Sequence, residues 1–290
     1  KLLGTYVYPY TDAEGLYIGT DFEMLLFTVD KFTNVQDTDS TKLTCDIFIN
    51  VLKRVSGNDS SLVTLFTKDF IVHLSCIASP EICERFVSYC IEYIDATMKE
   101  ADLCTTNKIP SFKEYTHLRQ GNRGVFATFD VIEAVSSHIT PLNTVLRITL
   151  PPDVFEDPNF QNICCSMNDL ICLANDVYSY PMEYARGIDQ INAVTAIKQE
   201  KGVSMQEAVE FVADHFKKHI ETVNSCKRNI RSFGPEADNA ICSYIHGMEQ
   251  WLYGYIIWSF DTHRYFRQEY EKVKQTMTVK VMTRKYKSLE

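Results

Sequence analysis

Apolar residues recur along this chain at the three-to-four-residue spacing of helices almost from end to end. Between residues 12 and 32 they are Leu16, Ile18, Phe22, Leu25, Leu26 and Val29, and from 41 to 55 they are Leu43, Ile47, Val51 and Val55. Ser56-Gly57-Asn58-Asp59 then marks a loop. The helical pattern resumes over 61–75 and 81–103, parted at Ser79-Pro80, where Pro80 suits a helix start. Ser111 can cap the next helix, with Glu114 three residues on completing a capping box. Gly121 and Gly124 fall inside the following pattern; each costs about 1 kcal/mol there relative to Ala, which predicts a break or a close backbone approach. Pro151-Pro152 and Asp157-Pro158 frame a loop ahead of the helix that carries Asn175. Ser204 caps a long amphipathic helix running to about Arg231 and ended by Phe233-Gly234-Pro235, and a final apolar helix runs from about Asp238 to Trp258. Strand-type alternation is confined to the tail, over 277–282. With no internal repeat or low-complexity tract, the pattern predicts one all-α domain over 1–290 with roughly ten helices.

Composition narrows the partners. The 290 residues are 45% hydrophobic and 23% charged, the profile of a globular chain with a substantial core. A net charge of −9 argues against nucleic acid and against anionic membrane surfaces, although local arginines and metal ions still allow an anionic substrate. No apolar run has the length of a membrane span and residues 1–10 do not resemble a signal peptide, so a cytoplasmic location is expected. The chain begins at Lys1 without Met, which leaves an upstream targeting segment open. Ten cysteines are unusual, but no CxxC pair accompanies them. Cys76, Cys83 and Cys90 recur every seven residues and read as one helix face packed with small apolar side chains, reduced core cysteines rather than a disulfide or zinc framework.

One helix carries a polar interruption. Asn175, Ser179 and Glu183 stand at i, i+4 and i+8, behind the apolar run Leu170, Ile171, Leu173 and Ala174. In a helix this puts an amide oxygen, a hydroxyl and a carboxylate on one face, a set of hard oxygen donors that suits Mg²⁺ shared with a substrate phosphate. A polar surface stripe gives the same spacing, so spacing alone leaves both readings open. Near the other end, Trp258-Ser259-Phe260-Asp261-Thr262-His263-Arg264-Tyr265 offers a guanidinium fork and a phenol, both suited to phosphate oxygens.

The segment Asn175-Asp176-Val177-Tyr178-Ser179-Tyr180-Pro181-Met182-Glu183, with Arg186-Gly187 and Asn192-Ala193-Val194 after it, closely resembles the metal-binding segment of microbial-type class I terpene synthases. By that resemblance Asn175, Ser179 and Glu183 bind one of three Mg²⁺ ions, and Arg264 with Tyr265 binds the substrate diphosphate. Tyr115-x-x-x-Arg119 is similar to the family's diphosphate-sensing segment just before a helix break, with Arg123 as competitor to Arg119. The distance from Arg119 to Asn175 exceeds the family norm, and the loop around 136–152 could hold the insertion. The family's aspartate-rich motif is matched only in degenerate form by Asp30-Lys31-Phe32-Thr33-Asn34. Asp30, Asn34 and Asp37 still share a helical face, and Asp30, at the position of the family's chief metal ligand, is the residue expected to hold metal.

The resemblance implies a single-domain, all-α class I terpenoid synthase fold, a bundle around a deep apolar cavity. Its activity would be a terpene cyclase acting on a linear prenyl diphosphate, farnesyl or geranylgeranyl. Phe27, Tyr178, Trp251, Tyr255 and Trp258 lie near the motif residues as candidate cavity walls that would stabilise carbocations. The family's N-terminal capping segment is expected to be missing, and dimers, common in the family, make a homodimer an open assembly. A prenyl-elongating synthase would want two intact aspartate-rich motifs. Lys31 keeps open a non-catalytic helical protein that binds a prenyl diphosphate.

Overall fold

The protein is described by a computed structural model over residues 2–35, 38–54, 60–106, 108–121, 124–139, 145–147 and 149–283, with 31–35, 38–39, 105, 137–139 and 145–147 described by backbone alone. Among the described residues there are thirteen α-helices and one two-stranded hairpin. The chain divides into two compact units, each assembled from separate stretches: Lys1–Met98, Asn122–Asp157 and Arg231–Trp251 in the first, and Lys99–Gly121, Pro158–Ile230 and Leu252–Glu290 in the second.

The first unit contains α1 (Leu2–Val7), α2 (Ala13–Val35), α3 (Thr38–Leu52), α4 (Leu62–Ile77) and most of α5 (Pro80–Thr105). It also holds α7 (Gly124–Val135), which follows α6 (Phe112–Gly121) in the chain, and the hairpin of β1 (Ser137–Ile139) and β2 (Val145–Arg147). The apolar stripe of α2 supplies Phe22, which packs on Phe70 of α4 and Phe86 of α5 at ring-centroid distances of 5.4 and 5.1 Å. All three rings are buried, and each such burial contributes about 1.5–3 kcal/mol. Tyr8, just past α1, lies so close to Gly19 of α2 that a Cβ there would meet its ring at 2.6 Å.

The second unit contains α6, α8 (Pro158–Arg186), α9 (Ala193–Lys201) and α10 (Met205–Asn229). The last turns of α11 (Pro235–Asp261), then α12 (His263–Phe266) and α13 (Tyr270–Thr276), complete it. Pro158 opens α8 at the position where its missing N–H costs nothing, and Gly187, at φ +73°, takes the left-handed turn past its end. Asn192 caps α9 through Val194 N, and Ser204 caps α10 in a full capping box with Glu207. The core of this unit gathers Tyr115, Leu173, Tyr180, Val194, Ile197 and Val212 from α6, α8, α9 and α10.

The structure agrees with the expected helices and corrects several details. The Ser111–Glu114 capping box is present, with Ser111 N donating to Glu114 Oε2 at 2.8 Å and Glu114 N to Ser111 Oγ at 3.2 Å. Gly121 ends α6 and Gly124 begins α7, so the helix break expected at the two glycines is present. The stretch 136–152, read as a loop, contains the hairpin, with His138 paired to Leu146; its three-residue strands are too short to show alternation. The alternating tail at 277–282 is not a strand. Cys76 does not share a helix face with Cys83 and Cys90: it is exposed on α4, and the chain breaks at Ser79 before α5 begins. All ten cysteines are free, five of them buried. The loop expected at 56–59 lies outside the described residues.

Candidate functional site

Asn175, Ser179 and Glu183 rise along α8 at one-turn intervals, as the spacing requires. Pro181 stands between the last two and has no N–H to return to the residue four before it. Asn175 is half-buried; its Nδ2 donates to the hydroxyls of Tyr255 at 2.9 Å and Tyr265 at 3.1 Å. Those two hydroxyls are themselves hydrogen-bonded at 2.7 Å. The phenol expected at a diphosphate site and the amide expected at a metal are therefore neighbours, 90 residues apart in sequence. With its amide hydrogens engaged, Asn175 has its carbonyl oxygen over for a cation.

Ser179 is buried; its hydroxyl makes a long contact, 3.5 Å, with the Asp176 carbonyl and also faces the Glu183 carboxyl. Glu183 accepts one hydrogen bond from Asn192 Nδ2 at 3.0 Å. Its carboxyl is pushed up to about 7, first by burial and then by the Asp176 charge, against the hydrogen bonds from Ser179 and Asn192. Each of the three side chains thus keeps an oxygen that the protein does not saturate, and all are hard donors. The set fits a divalent cation of the Mg²⁺ type.

Arg119 lies in the last turn of α6, its side chain 18% exposed. One nitrogen contacts Asp176 Oδ1 at 3.5 Å and another Glu100 Oε1 at 3.9 Å, while its Nε is a buried donor with no hydrogen bond. Arg264, on α12, is exposed, with its guanidinium 5.6 Å from the Tyr265 ring centroid. Around Tyr265 the aromatic candidates gather: Trp258 meets it edge-on at 6.0 Å, Tyr255 lies 6.0 Å from Trp258, and Tyr178 lies 6.3 Å from Tyr265. Phe260 and Phe266 extend this cluster and were not expected from sequence.

The remaining expected residues belong to the first unit or lie outside the described residues. Asp30 is exposed on α2, and Phe27, one turn earlier, is half-buried. Trp251 is buried and interacts with Glu23, a buried acid that also accepts from Tyr8 OH at 3.1 Å. The side chains of Lys31 and Asn34, and the whole of Asp37 and Arg123, lie outside the described residues. Sequence reasoning missed Asp176, which collects Tyr115 OH, Ala193 N and Arg119 on its carboxylate. It also gave no role to Asn192, which links the Asp176 carbonyl to Glu183. The adjacency of Asp176 to Asn175 was the available signal.

Comparison with known proteins identifies this architecture. Germacradien-4-ol synthase from Streptomyces citricolor matches it with a TM-score of 0.72 at 22% identity, covering 90% of this chain and 83% of that one. The fold is the all-α class I terpene synthase fold. A family model described as terpene synthase family 2, C-terminal metal binding, matches residues 21–222. Bifunctional terpene synthase Agr4 from Cyclocybe aegerita is 32% identical over 277 residues, 95% of this chain and 77% of the relative. Viridiflorene synthase Agr2 from the same organism is 30% identical over 289 residues, 96% of this chain and 71% of the relative. The chain belongs to the terpene synthase family, a lyase-type family whose metal-binding domain implies use of a divalent metal. Among the described residues no helix is long and apolar enough to cross a membrane.

Proposed function

We propose that the protein is a Mg²⁺-dependent terpene cyclase that ionises a linear prenyl diphosphate, farnesyl or geranylgeranyl, and cyclises the resulting carbocation. The observation that carries this reading is the hydrogen bond from Asn175 Nδ2 to Tyr265 OH, which joins the metal triplet to the Arg264-Tyr265 pair. Asn175, Ser179 and Glu183 would hold metal on α8; the family resemblance gives Asp30 and Asn34 a metal-binding role as well. Bound there, Mg²⁺ would supply positive charge to the departing diphosphate. Arg119, Arg264 and Tyr265 would donate hydrogen bonds to its oxygens, with Arg123 as the competitor to Arg119. The allylic C–O bond breaks and both electrons leave with the diphosphate, so no protein nucleophile takes part. Tyr178, Tyr255 and Trp258 would present ring faces to the carbocation and keep water away until a proton is lost or water is captured.

Purified protein supplied with Mg²⁺ and geranyl, farnesyl or geranylgeranyl diphosphate should release a hydrocarbon or terpene alcohol, read by gas chromatography. A folded protein that makes nothing from any of the three overturns the reading. Glu183→Gln should lower turnover by about a hundredfold or more, and full activity in that variant would remove Glu183 from the metal site. A second reading rests on Lys31, a cation at an acidic position of the family motif: a protein that binds prenyl diphosphate without turnover. Binding of a non-hydrolysable diphosphate analogue with no product would favour it.

A further inference from the structure

Asp176 follows Asn175 on α8 and is 3% exposed. Both of its carboxylate oxygens are engaged: Oδ1 faces Arg119 at 3.5 Å, and Oδ2 accepts from Tyr115 OH and from Ala193 N at 2.8 Å. Its main-chain carbonyl accepts from Asn192 Nδ2 at 3.0 Å, and the same amide reaches Glu183 Oε2 at 3.0 Å. Asp176 is therefore the point where α6, α8 and the start of α9 are tied together. Arg119 meets its two carboxylates only by long single contacts, and its Nε is left buried without an acceptor. A guanidinium with a purely structural task would spend its fork on its carboxylates, because a buried unsatisfied donor is costly.

We infer that Asp176 is a positioning residue of the diphosphate site: it fixes the Arg119 guanidinium while leaving Arg119 donors for the anion. Independently of the carboxylate, its main-chain carbonyl ties Glu183 into the same framework through Asn192. The inference rests on the roles proposed above for Arg119 and Glu183. Asp176 acts through Arg119, so its removal should matter only while Arg119 is present.

Calorimetric titration of the full chain with inorganic pyrophosphate in the presence of Mg²⁺ tests this directly. The variants are Asp176→Asn, Arg119→Gln, the double variant and Tyr115→Phe, with KM and kcat for the turned-over prenyl diphosphate measured alongside. Asp176→Asn should weaken pyrophosphate binding about tenfold or more and raise KM to match, since it removes a hydrogen bond to a charged group. The double variant should bind no more weakly than Arg119→Gln alone. Wild-type affinity in Asp176→Asn, or losses that multiply in the double variant, overturn the inference. If circular dichroism shows Asp176→Asn unfolded, Tyr115→Phe carries the test. It removes only the hydroxyl that supports Asp176 and should weaken pyrophosphate binding several-fold, but not in the Arg119→Gln background; unchanged affinity in the single variant overturns the inference. A wild-type protein that neither binds pyrophosphate nor turns over any of the three substrates instead refutes the underlying cyclase reading.

Discussion

Each compact unit buries one arginine between two carboxylates, and the two arrangements differ in what they leave over. In the first unit, Arg85 of α5 meets Asp130 through Nε and Glu133 through Nη2, both at 2.5 Å. Glu133 also accepts Leu150 N at 2.8 Å, and the Arg85 guanidinium lies 4.1 Å above the Phe155 ring centroid. This fork is spent on the protein, tying α5 to α7 and to the chain after the hairpin. In the second unit Arg119 makes contacts of 3.5 and 3.9 Å and keeps Nε unpaired, while Asp176 draws separate support from Tyr115 and Ala193. Burial does not separate the two, at 20% and 18% exposure. The guanidinium does: Arg85 donates through both Nε and Nη2, whereas Arg119 keeps Nε as a buried donor without an acceptor. The spare donor is what the anion-binding role proposed for Arg119 requires.

The strongest way to break this comparison is to remove the first arginine. Arg85→Met leaves two buried carboxylates without their cation, and should cost about 3–5 kcal/mol in urea unfolding. A loss under about 1 kcal/mol would mean that Arg85 is not the lock described. The buried acid Glu23 sharpens the same point by pH. Burial raises its carboxyl from 4.5 to about 7, against hydrogen bonds from Tyr8 and Trp251, so the folded state keeps a proton that the unfolded state gives up. Its contribution to stability is complete below about 4.5 and is lost as pH rises to about 7. Glu23→Gln should therefore gain on wild type across that window by a few kcal/mol at most, at roughly 1.4 kcal/mol per pH unit. Unfolding curves of the two proteins that keep a constant gap between those two pH values would refute the buried-acid account.

The sequence made the helices legible because their apolar stripes and caps are local signals, as at Ser111 and Ser204. It hid what depends on short elements or distant partners. The helices α1 and α12 are only a turn or so long, the hairpin strands have three residues each, and the spacing of Cys76 to Cys83 crosses a helix boundary. At the site, Asn175, Ser179 and Glu183 are visible because one helix carries them all. The role of Asp176 is not, because its partners come from positions 115, 119 and 193. Of the degenerate acidic motif, Asp30 is exposed on α2 and Lys31 occupies the next position.

Two smaller perturbations separate support from function in the second unit. Arg119→Gln leaves Asp176 with its Tyr115 and Ala193 donors, so it should cost only about 1–3 kcal/mol, less than Arg85→Met, while removing most pyrophosphate affinity. Equal stability losses for the two arginines would erase the distinction between them. The gentlest test lies at the start of α6, where Ser111 Oγ accepts from Glu114 N at 3.2 Å and Ser111 N donates to Glu114 Oε2 at 2.8 Å. Ser111→Ala should cost about 0.5–2 kcal/mol, read by thermal unfolding. Fraying there begins one turn before Tyr115, so it loosens the Tyr115–Asp176 bond first and Arg119 only through Asp176. KM should then rise slightly with kcat unchanged. A fall in kcat at constant KM would place the influence of α6 on the chemical step and not on the seating of the anion.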